Sequence, residues 1–347
     1  MFQELTIFIL GLVTGLFGLV AVLYLFVFER SRIRLVLGVI LAVYALYLLK
    51  DLLYLQEGVA DNPFIYKLLL SIDTWAVPLY VMFAFEFLYL GKMTLRKDLL
   101  LFGSFPLFTL LYVLYPYDWV YSLMTVYAVV FSGVCICIVL RKTLLYRRML
   151  KGSLSDITHM DVKWLWVSIA LLLPNLVLWT FVSSRTDNLL DAVYYLSLSV
   201  TWGIIAYKTY YYRYPSASDL MSGDTHAEAA VPVPSHFSEK LARLAADGYF
   251  VRTPHLTLAE LAADLGTNRT TLSSYINNGL GTTFYDYVNS NRLEYTEKLL
   301  SDPGTKYSAE QLAELSGFNS LSTFRRAFSK KYGISPQQYR ERVLERR

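Results

Sequence analysis

Two sets of residues in this chain could do chemistry. Asp73 and Glu86 are carboxylates inside one apolar stretch, Leu68 to Leu90. Ionisable groups there are costly and by default functional. Asp73, with Trp75 and Pro78 beside it, is therefore a candidate ligand or proton site in the membrane half, and Glu86 a second acid of the same span. The two acids stand roughly 220° apart around a helix, so they do not form a facing pair. Pro78 is expected to kink the span and open space at Asp73. An interhelical hydrogen bond or an interfacial carboxylate is the plainer account of Asp73. Pro174 with Asn175 is a second candidate for a broken, site-forming helix, and proline kinks also occur without any site.

The other set is a pattern written twice. In TLAELAADLGTNRTTLSSYI, Thr257 and Glu260 have the spacing of a capping box, and Leu261, Ala262 and Leu265 make an apolar face. Gly266 permits a tight turn, and Asn268 caps a second helix whose Leu272 and Ile276 return to the core. Such a helix-turn-helix is built to place one helix in the major groove of DNA. The pattern recurs in SAEQLAELSGFNSLSTFRRAF, where Ser308, Gln311, Leu312, Ala313 and Gly317 repeat those positions. With one extra residue in the turn, Ser320, Phe324, Phe328, Gly333 and Tyr339 repeat Asn268, Leu272, Ile276, Gly281 and Tyr287. Between the copies, Phe284, Val288, Tyr295 and Leu299 predict the apolar stripe of a joining helix, stopped at Asp302, Pro303 and Gly304.

The elements that must carry these residues differ in solvent. At 347 residues, 55% hydrophobic and 17% charged, the chain is too apolar for an ordinary soluble core. Seven stretches reach the roughly 20 residues needed to cross hydrocarbon. They are Leu5 to Phe28, Ile33 to Leu49, Leu68 to Leu90, Leu99 to Tyr115, Trp119 to Leu140, Trp164 to Val182 and Leu189 to Tyr207. The first lacks the basic start and cleavage site of a signal peptide and is expected to remain as a span. Trp119, Trp164 and the run Tyr210, Tyr211, Tyr212 suit the membrane interface.

Basic residues collect in alternate loops. Arg30, Arg32 and Arg34, then Lys92, Arg96 and Lys97, then Arg141, Lys142, Arg147, Arg148, Lys151 and Lys163 face only Lys50, Lys67 and Arg185 in the opposite loops. The positive-inside rule then places the N-terminus outside and the C-terminal domain in the cytoplasm. A DNA reader in a bacterium requires the same, which gives a multi-pass protein of the cytoplasmic (inner) membrane. From Pro215 to Ser235 the composition turns small, polar and proline-containing, as in a flexible linker averaging about 25 Å end to end.

The fold class expected is all-α: a seven-helix transmembrane domain followed by a soluble all-α domain with two helix-turn-helix motifs joined by a linker helix. The domains would be 1–209, a linker at 210–235, and 236–347. Cys135 and Cys137 lie on different faces of the fifth span and read as packing thiols. His159, His226, His236 and His255 are scattered without metal spacing, and there is no HExxH, nucleophile elbow or phosphate loop. No enzymatic activity, metal or cofactor is expected.

Residues 236–342, just under a third of the chain, resemble the DNA-binding domain of the AraC/XylS family of bacterial transcription regulators. The second copy, through GFNSLSTFRRAFSKKYGISPQQYR, carries the resemblance most specifically. The first departs from it at Asn277, Asn278 and Gly279, where the family commonly has a basic stretch. The seven-span half is similar to that of membrane-anchored members. The resemblance implies two readers about 34 Å apart, entering successive major grooves of double-stranded DNA. By motif position it makes Thr270, Ser273 and Ser274 base readers of the first copy, and Leu321, Ser322, Arg325 and Arg326 those of the second. The arginines alone can grip guanine with two hydrogen bonds; phosphate contact or a solvated face is the alternative for them. Lys330 is expected on a phosphate, and Lys331, Arg340, Arg342, Arg346 and Arg347 continue a basic tail that serves phosphate neutralisation or solubility. Implied partners are promoter DNA, the lipid bilayer, RNA polymerase for an activator, a second copy of the chain, and a small-molecule or envelope signal. Three functions compete: a membrane-bound one-component regulator, a transporter-like or enzymatic membrane domain with a regulatory DNA reader, and a latent factor released by cutting the linker.

Overall fold

Among the described residues seven helical segments are long and apolar enough to cross a membrane, and they match the seven predicted stretches in order. A computed structural model describes residues 2–29, 31–56, 58–59, 61–89, 93–158, 160–183, 188–213, 235–302 and 307–345. Most of the expected linker lies outside the described residues, as do Arg30, Lys92, His159, Arg185, His226, Pro303, Gly304, Arg346 and Arg347. Among the described residues the chain is all-α, with one isolated bridge between Leu154 and Thr257. It divides into two compact units, Met1–Leu144 with Val162–Tyr212, and Leu145–Asp161 with Arg213–Arg347.

The first unit holds α1 (Phe2–Val22), α2 (Arg32–Leu49), α3 (Pro63–Asp73), α4 (Ala76–Leu88), α5 (Leu95–Leu114), most of α6 (Asp118–Ser153), α7 (Trp164–Val182) and α8 (Asn188–Tyr211). α1 packs on α2 and α8, and α7 on α8. Trp202 is fully buried against Tyr44 and Phe83, and Phe83 touches Phe87 and Trp164 in turn. Large apolar side chains such as Phe8, Leu46, Leu100 and Leu107 stay uncovered, as expected of helices whose outer faces meet hydrocarbon.

The third span is interrupted where Pro78 is expected to disturb it. It is two helices, broken after Asp73 at Thr74 and Trp75, three to four residues before Pro78. A proline cannot bond the carbonyl four residues back and its ring crowds it, which sets the break at Thr74 and leaves Pro78 in the first turn of α4. Tyrosines of α2 meet carbonyls near the break: Tyr47 Oη donates to Asp73 O (3.5 Å) and Tyr44 Oη to Ala76 O (3.3 Å). α7 runs unbroken through Pro174. Asn175 there donates to Leu171 O (2.8 Å) and to Thr201 Oγ1 of α8 (3.1 Å), so it ties two spans together.

The second unit contains the end of α6 and its following loop, then α9 (Ser235–Ala246), α10 (Tyr249–Arg252), α11 (Leu258–Leu265), α12 (Arg269–Ser274), α13 (Phe284–Leu300), α14 (Ala309–Leu315), α15 (Leu321–Tyr332) and α16 (Pro336–Glu345). Both capping boxes form. Thr257 Oγ1 accepts from Glu260 N (3.2 Å) while Thr257 N donates to Glu260 Oε2 (2.8 Å). Ser308 and Gln311 reproduce the pair at 3.2 and 2.8 Å. Asn268 caps α12 and Ser320 caps α15.

Each copy has its own core. Leu241, Phe250, Leu261, Leu265, Leu272 and Ile276 fill the first, and Leu312, Ala313, Phe318, Phe324 and Phe328 the second. α13 serves both, giving Phe284 and Val288 to one and Leu293 and Leu300 to the other. Its buried line passes through Arg292 and Thr296, whereas Tyr295 is exposed and Leu299 half-buried, so the predicted stripe is displaced along its second half.

Gly266 and Gly317 both adopt left-handed backbone, φ +71° and +77°. A Cβ on Gly266 would meet open space, but one on Gly317 would overlap the carbonyl of Val251. Gly266→Ala should therefore cost about 1 to 2 kcal/mol of backbone strain, and Gly317→Ala about 3 kcal/mol or more once overpacking is added. Hydrogen exchange of amides in α11 to α15 of the full-length protein measures both; equal losses at the two sites would refute the distinction.

Candidate functional site

The second reading helix, α15, starts at the Ser320 cap, whose Oγ accepts from Thr323 N (3.2 Å). Phe324 and Phe328 are buried, which turns Ser322, Arg325 and Arg326 outward. Leu321, expected among the base readers, is half-buried in the first turn of α15 and packs against the second core. Arg325 pairs loosely with Glu310 of α14 (3.7 Å), both side chains being more than half exposed. Arg326 donates to Tyr285 Oη (3.4 Å), and Lys330 pairs with Asp286 Oδ1 (2.9 Å). The basic groups of α15 are thus held by weak surface contacts, which cost little to exchange for phosphates or base edges.

Asp286 lies in the first turn of α13. Burial pushes its carboxyl up, but the hydrogen bond from Lys330 and the charge of Lys151 outweigh that and hold it below the usual range.

The first reading helix is shorter and more polar. Thr270 is exposed, and Ser273 and Ser274 are half-buried. Asn277 Nδ2 donates to Ser273 Oγ (3.1 Å) and Asn278 Nδ2 to Ser274 Oγ (3.2 Å), in a wider turn over Tyr275–Gly279 that extends α12. The residues that depart from the family pattern therefore engage the hydroxyls expected to read DNA.

A residue missed in the sequence joins the copies. Arg292 of α13 is fully buried and donates to three carbonyls: Phe250 (2.9 Å), Thr253 (2.8 Å) and Pro254 (2.9 Å). Burial pushes its guanidinium down to about 10. Asn319, in the turn of the second copy, donates to the same Pro254 carbonyl (2.9 Å). An arginine reads as surface in a helix, so only its position on the buried line of α13 could have revealed it.

The comparisons with known proteins agree with this geometry. A family model described as a helix-turn-helix domain matches residues 261–342. The C-terminal unit contains an AraC-type helix-turn-helix domain. The chain is similar to the transcriptional activator RhrA of Rhizobium meliloti (strain 1021), 42% identical over 60 residues. That match covers 17% of this chain and 19% of RhrA, so the chain spans under a fifth of that relative. No solved structure matches.

A further element packs on the AraC-type domain within the second unit: Leu145–Asp161, the end of α6 and its loop. Leu154 bridges Thr257, and Ser155 N donates to Leu256 O (3.1 Å), both at the start of the first copy. Thr158 Oγ1 lies 2.9 Å from Thr323 Oγ1 and 3.4 Å from Ser320 Oγ, at the cap of the second reading helix. Lys151 faces Asp286 (3.9 Å) and the Tyr285 ring of α13. Sequence division assigned this segment to the membrane half. Its signal is Leu150, Leu154 and Ile157, apolar positions that are all buried.

The acids of the spans are not brought together. Asp73 binds Lys50 (2.5 Å) and accepts from Trp179 Nε1 (3.2 Å). Glu86 is buried on Arg32 (2.6 Å), and Trp75 Nε1 donates to Thr109 Oγ1 (3.1 Å). Of the three, only Asp73 lines a cavity of about 140 Å³ between the helices, which it shares with Asn175.

Replacing Arg326 with Ala should relax preference at one or two bases of the operator by about 1 to 3 kcal/mol. Replacing Lys330 should weaken binding evenly across sequences and lower the salt slope by about one. Binding of the full-length variants to a panel of single-base operator changes separates the two effects; identical behaviour would refute the assignment of readers.

Proposed function

We propose that the protein is a membrane-bound one-component transcription regulator, in which a signal sensed in or at the seven-span half changes how two helix-turn-helix readers are presented to promoter DNA. One arrangement carries this reading. Leu145–Asp161 continues directly from α6, a helix of span length, and is bonded to the start of the first reader, to the joining helix and to the cap of the second. A shift or rotation of α6 would reach both readers without passing through the linker.

The same arrangement disfavours release by proteolysis. A cut between residues 215 and 235 would leave the readers packed on Leu145–Asp161. A transporter or enzyme would need a denser set of polar groups along the spans. The buried hydroxyls Thr143, Thr201 and Thr209 each donate to a carbonyl of their own helix, which serves packing and not turnover. Basic loops support a cytoplasmic C-terminal domain. Thr270, Ser273, Ser274, Ser322, Arg325 and Arg326 are the proposed base readers, with Lys330 on a phosphate. A second copy of the chain on tandem or inverted half-sites, and RNA polymerase for an activator, complete the proposed partners.

Chromatin immunoprecipitation of the tagged full-length protein, with fractionation of the same cells, tests the reading. Specific promoter peaks with the protein wholly in membranes are expected; peaks accompanied by a soluble fragment of about 14 kDa would instead establish release. Transmission has its own test. Thr158→Val removes a hydrogen bond at the second reader's cap, a change of about 1 kcal/mol or about fivefold in a two-state population. Basal output of a target promoter should move by that order at unchanged membrane level, and an unchanged output would sink the α6 route.

A further inference from the structure

The cavity of the first unit has walls of one chemistry and a single charged feature. Tyr44, Tyr80, Trp179 and Tyr194 supply aromatic surface, aliphatic side chains fill most of the rest, and Asp73 stands in the wall. The threonine and serine hydroxyls around it are engaged by nearby carbonyls of their own segments: Thr74 donates to Ser71 O, Thr125 to Tyr121 O, Ser132 to Ala128 O and Thr180 to Val177 O, while Tyr44 and Tyr80 bond to neighbouring helices. Asn175 gives its amide protons to Leu171 O and Thr201 Oγ1 and receives Ser197 Oγ. The Asp73 carboxylate is left as the strong acceptor at the cavity.

That carboxylate belongs to a cluster with unequal charge. Lys50 Nζ stands 2.5 Å from both Asp51 Oδ1 and Asp73 Oδ1, and all three side chains are about nine-tenths buried. Tyr195 Oη donates to Asp51 Oδ2 (2.9 Å) and Trp179 Nε1 to Asp73 Oδ2 (3.2 Å). Among the described residues one lysine is shared by two aspartates here, so with both carboxylates ionised the cluster carries a surplus negative charge in a poorly solvated place, which neutral donors only soften. Asp73 has lone pairs to spare, since each carboxylate oxygen can accept twice. The cluster already shows how an ammonium is received here: Lys50 Nζ lies over the rings of Tyr47 and Tyr54, 5.0 and 5.7 Å from their centroids. Aromatic faces beside a carboxylate are the usual surroundings of a bound ammonium.

We propose that this cavity binds a small lipophilic amine, with its ammonium on Asp73 and its apolar body among Tyr44, Tyr80, Trp179 and Tyr194. Size limits the body. A dry apolar cavity of about 150 Å³ accommodates benzene, so a space of about 140 Å³ takes one ring or a short alkyl chain. Charge selects the head. An anion would add to the surplus, a neutral alcohol would leave it uncompensated, and an ammonium cancels it. Occupancy would draw α2, α3, α4, α6, α7 and α8 together, since all six contribute walls. The proposal names the signal of the sensing role given above and rests on that role for its regulatory consequence alone.

The test uses full-length protein in nanodiscs of zwitterionic lipid without DNA, and three probes of matched shape: 2-phenylethylammonium, 2-phenylethanol and 3-phenylpropionate. Saturable binding by calorimetry should be at least tenfold tighter for the amine than for the alcohol and undetectable for the acid. Asp73→Asn should weaken the amine at least tenfold and leave alcohol binding in place, which also reports that the cavity is intact. Ala128→Phe, which fills the cavity from α6, should remove both. No saturable amine binding, equal affinity for amine and alcohol, or an amine affinity unmoved by Asp73→Asn would each overturn the proposal. Amine binding that leaves promoter output unchanged would uphold the site and overturn the sensing role. Regulated promoters with no amine binding would do the reverse.

Discussion

The DNA-binding unit depends on a buried guanidinium. Arg292 lies at the middle of the joining helix, where an apolar residue would ordinarily sit, and it donates to carbonyls of residues 250, 253 and 254. Those carbonyls belong to the end of α10 and the turn before the first reader, where Thr253 O also accepts from Leu256 N (3.3 Å) and Pro254 O from Asn319. Burying a guanidinium is costly unless its protons are placed, and the buried Phe250 carbonyl likewise needs a donor. Each solves the other's problem, and the result is that the first reader's leading segment cannot move independently of α13. Asn319 on Pro254 O and the close approach of Gly317 to Val251 bring the second reader's turn to the same place.

This junction decides what the two copies can do. Their cores are separate, so neither packs the other into position by apolar contact alone. α13 sets the distance along its axis, and the polar junction sets the rotation about it. Leu145–Asp161 then adds a third connection across the same three elements, through Thr257, Asp286 and Thr323. The contacts in it are individually modest. Several are hydroxyl pairs or partly exposed ion pairs, worth of the order of 1 kcal/mol or less each. A set of that strength suits a switch, because it can be lost without unfolding the cores beneath it.

Much of this was legible in the sequence because its physical causes are local. Span length, the capping boxes at Thr257 and Ser308, the left-handed turns at Gly266 and Gly317 and the apolar faces of both copies depend on residues a few positions apart. What escaped was non-local. Arg292 looks like a solvated residue until the carbonyls it serves are brought to it from far along the chain. Leu321 was placed by motif position alone, and its partial packing on the second core follows only once Phe324 and Phe328 fix the rotation of α15. The run after Leu140 reads as a basic loop, yet α6 continues to Ser153, because long basic side chains are good helix formers and Tyr146 and Leu150 find burial. Pro78 was legible as an interruption of the third span, and the break it accompanies lies three to four residues upstream, at Thr74 and Trp75.

The break in the third span ties the two halves of the membrane reading together. Irregular backbone at such a place is tolerated only where neighbours meet its polar groups, and Tyr44 and Tyr47 of α2 do so at Ala76 and Asp73. The same helix ends in Lys50, which meets the Asp73 side chain. One face of α2 thus serves both the carbonyls at the break and the carboxylate beside it, and Tyr44 also lines the cavity there. A ligand that moved Tyr44 or Asp73 would disturb the hydrogen bonds that make the break tolerable, so occupancy and the shape of the third span are coupled. In the proposed sensing role that coupling would reach α6 through the cavity wall it shares with α4.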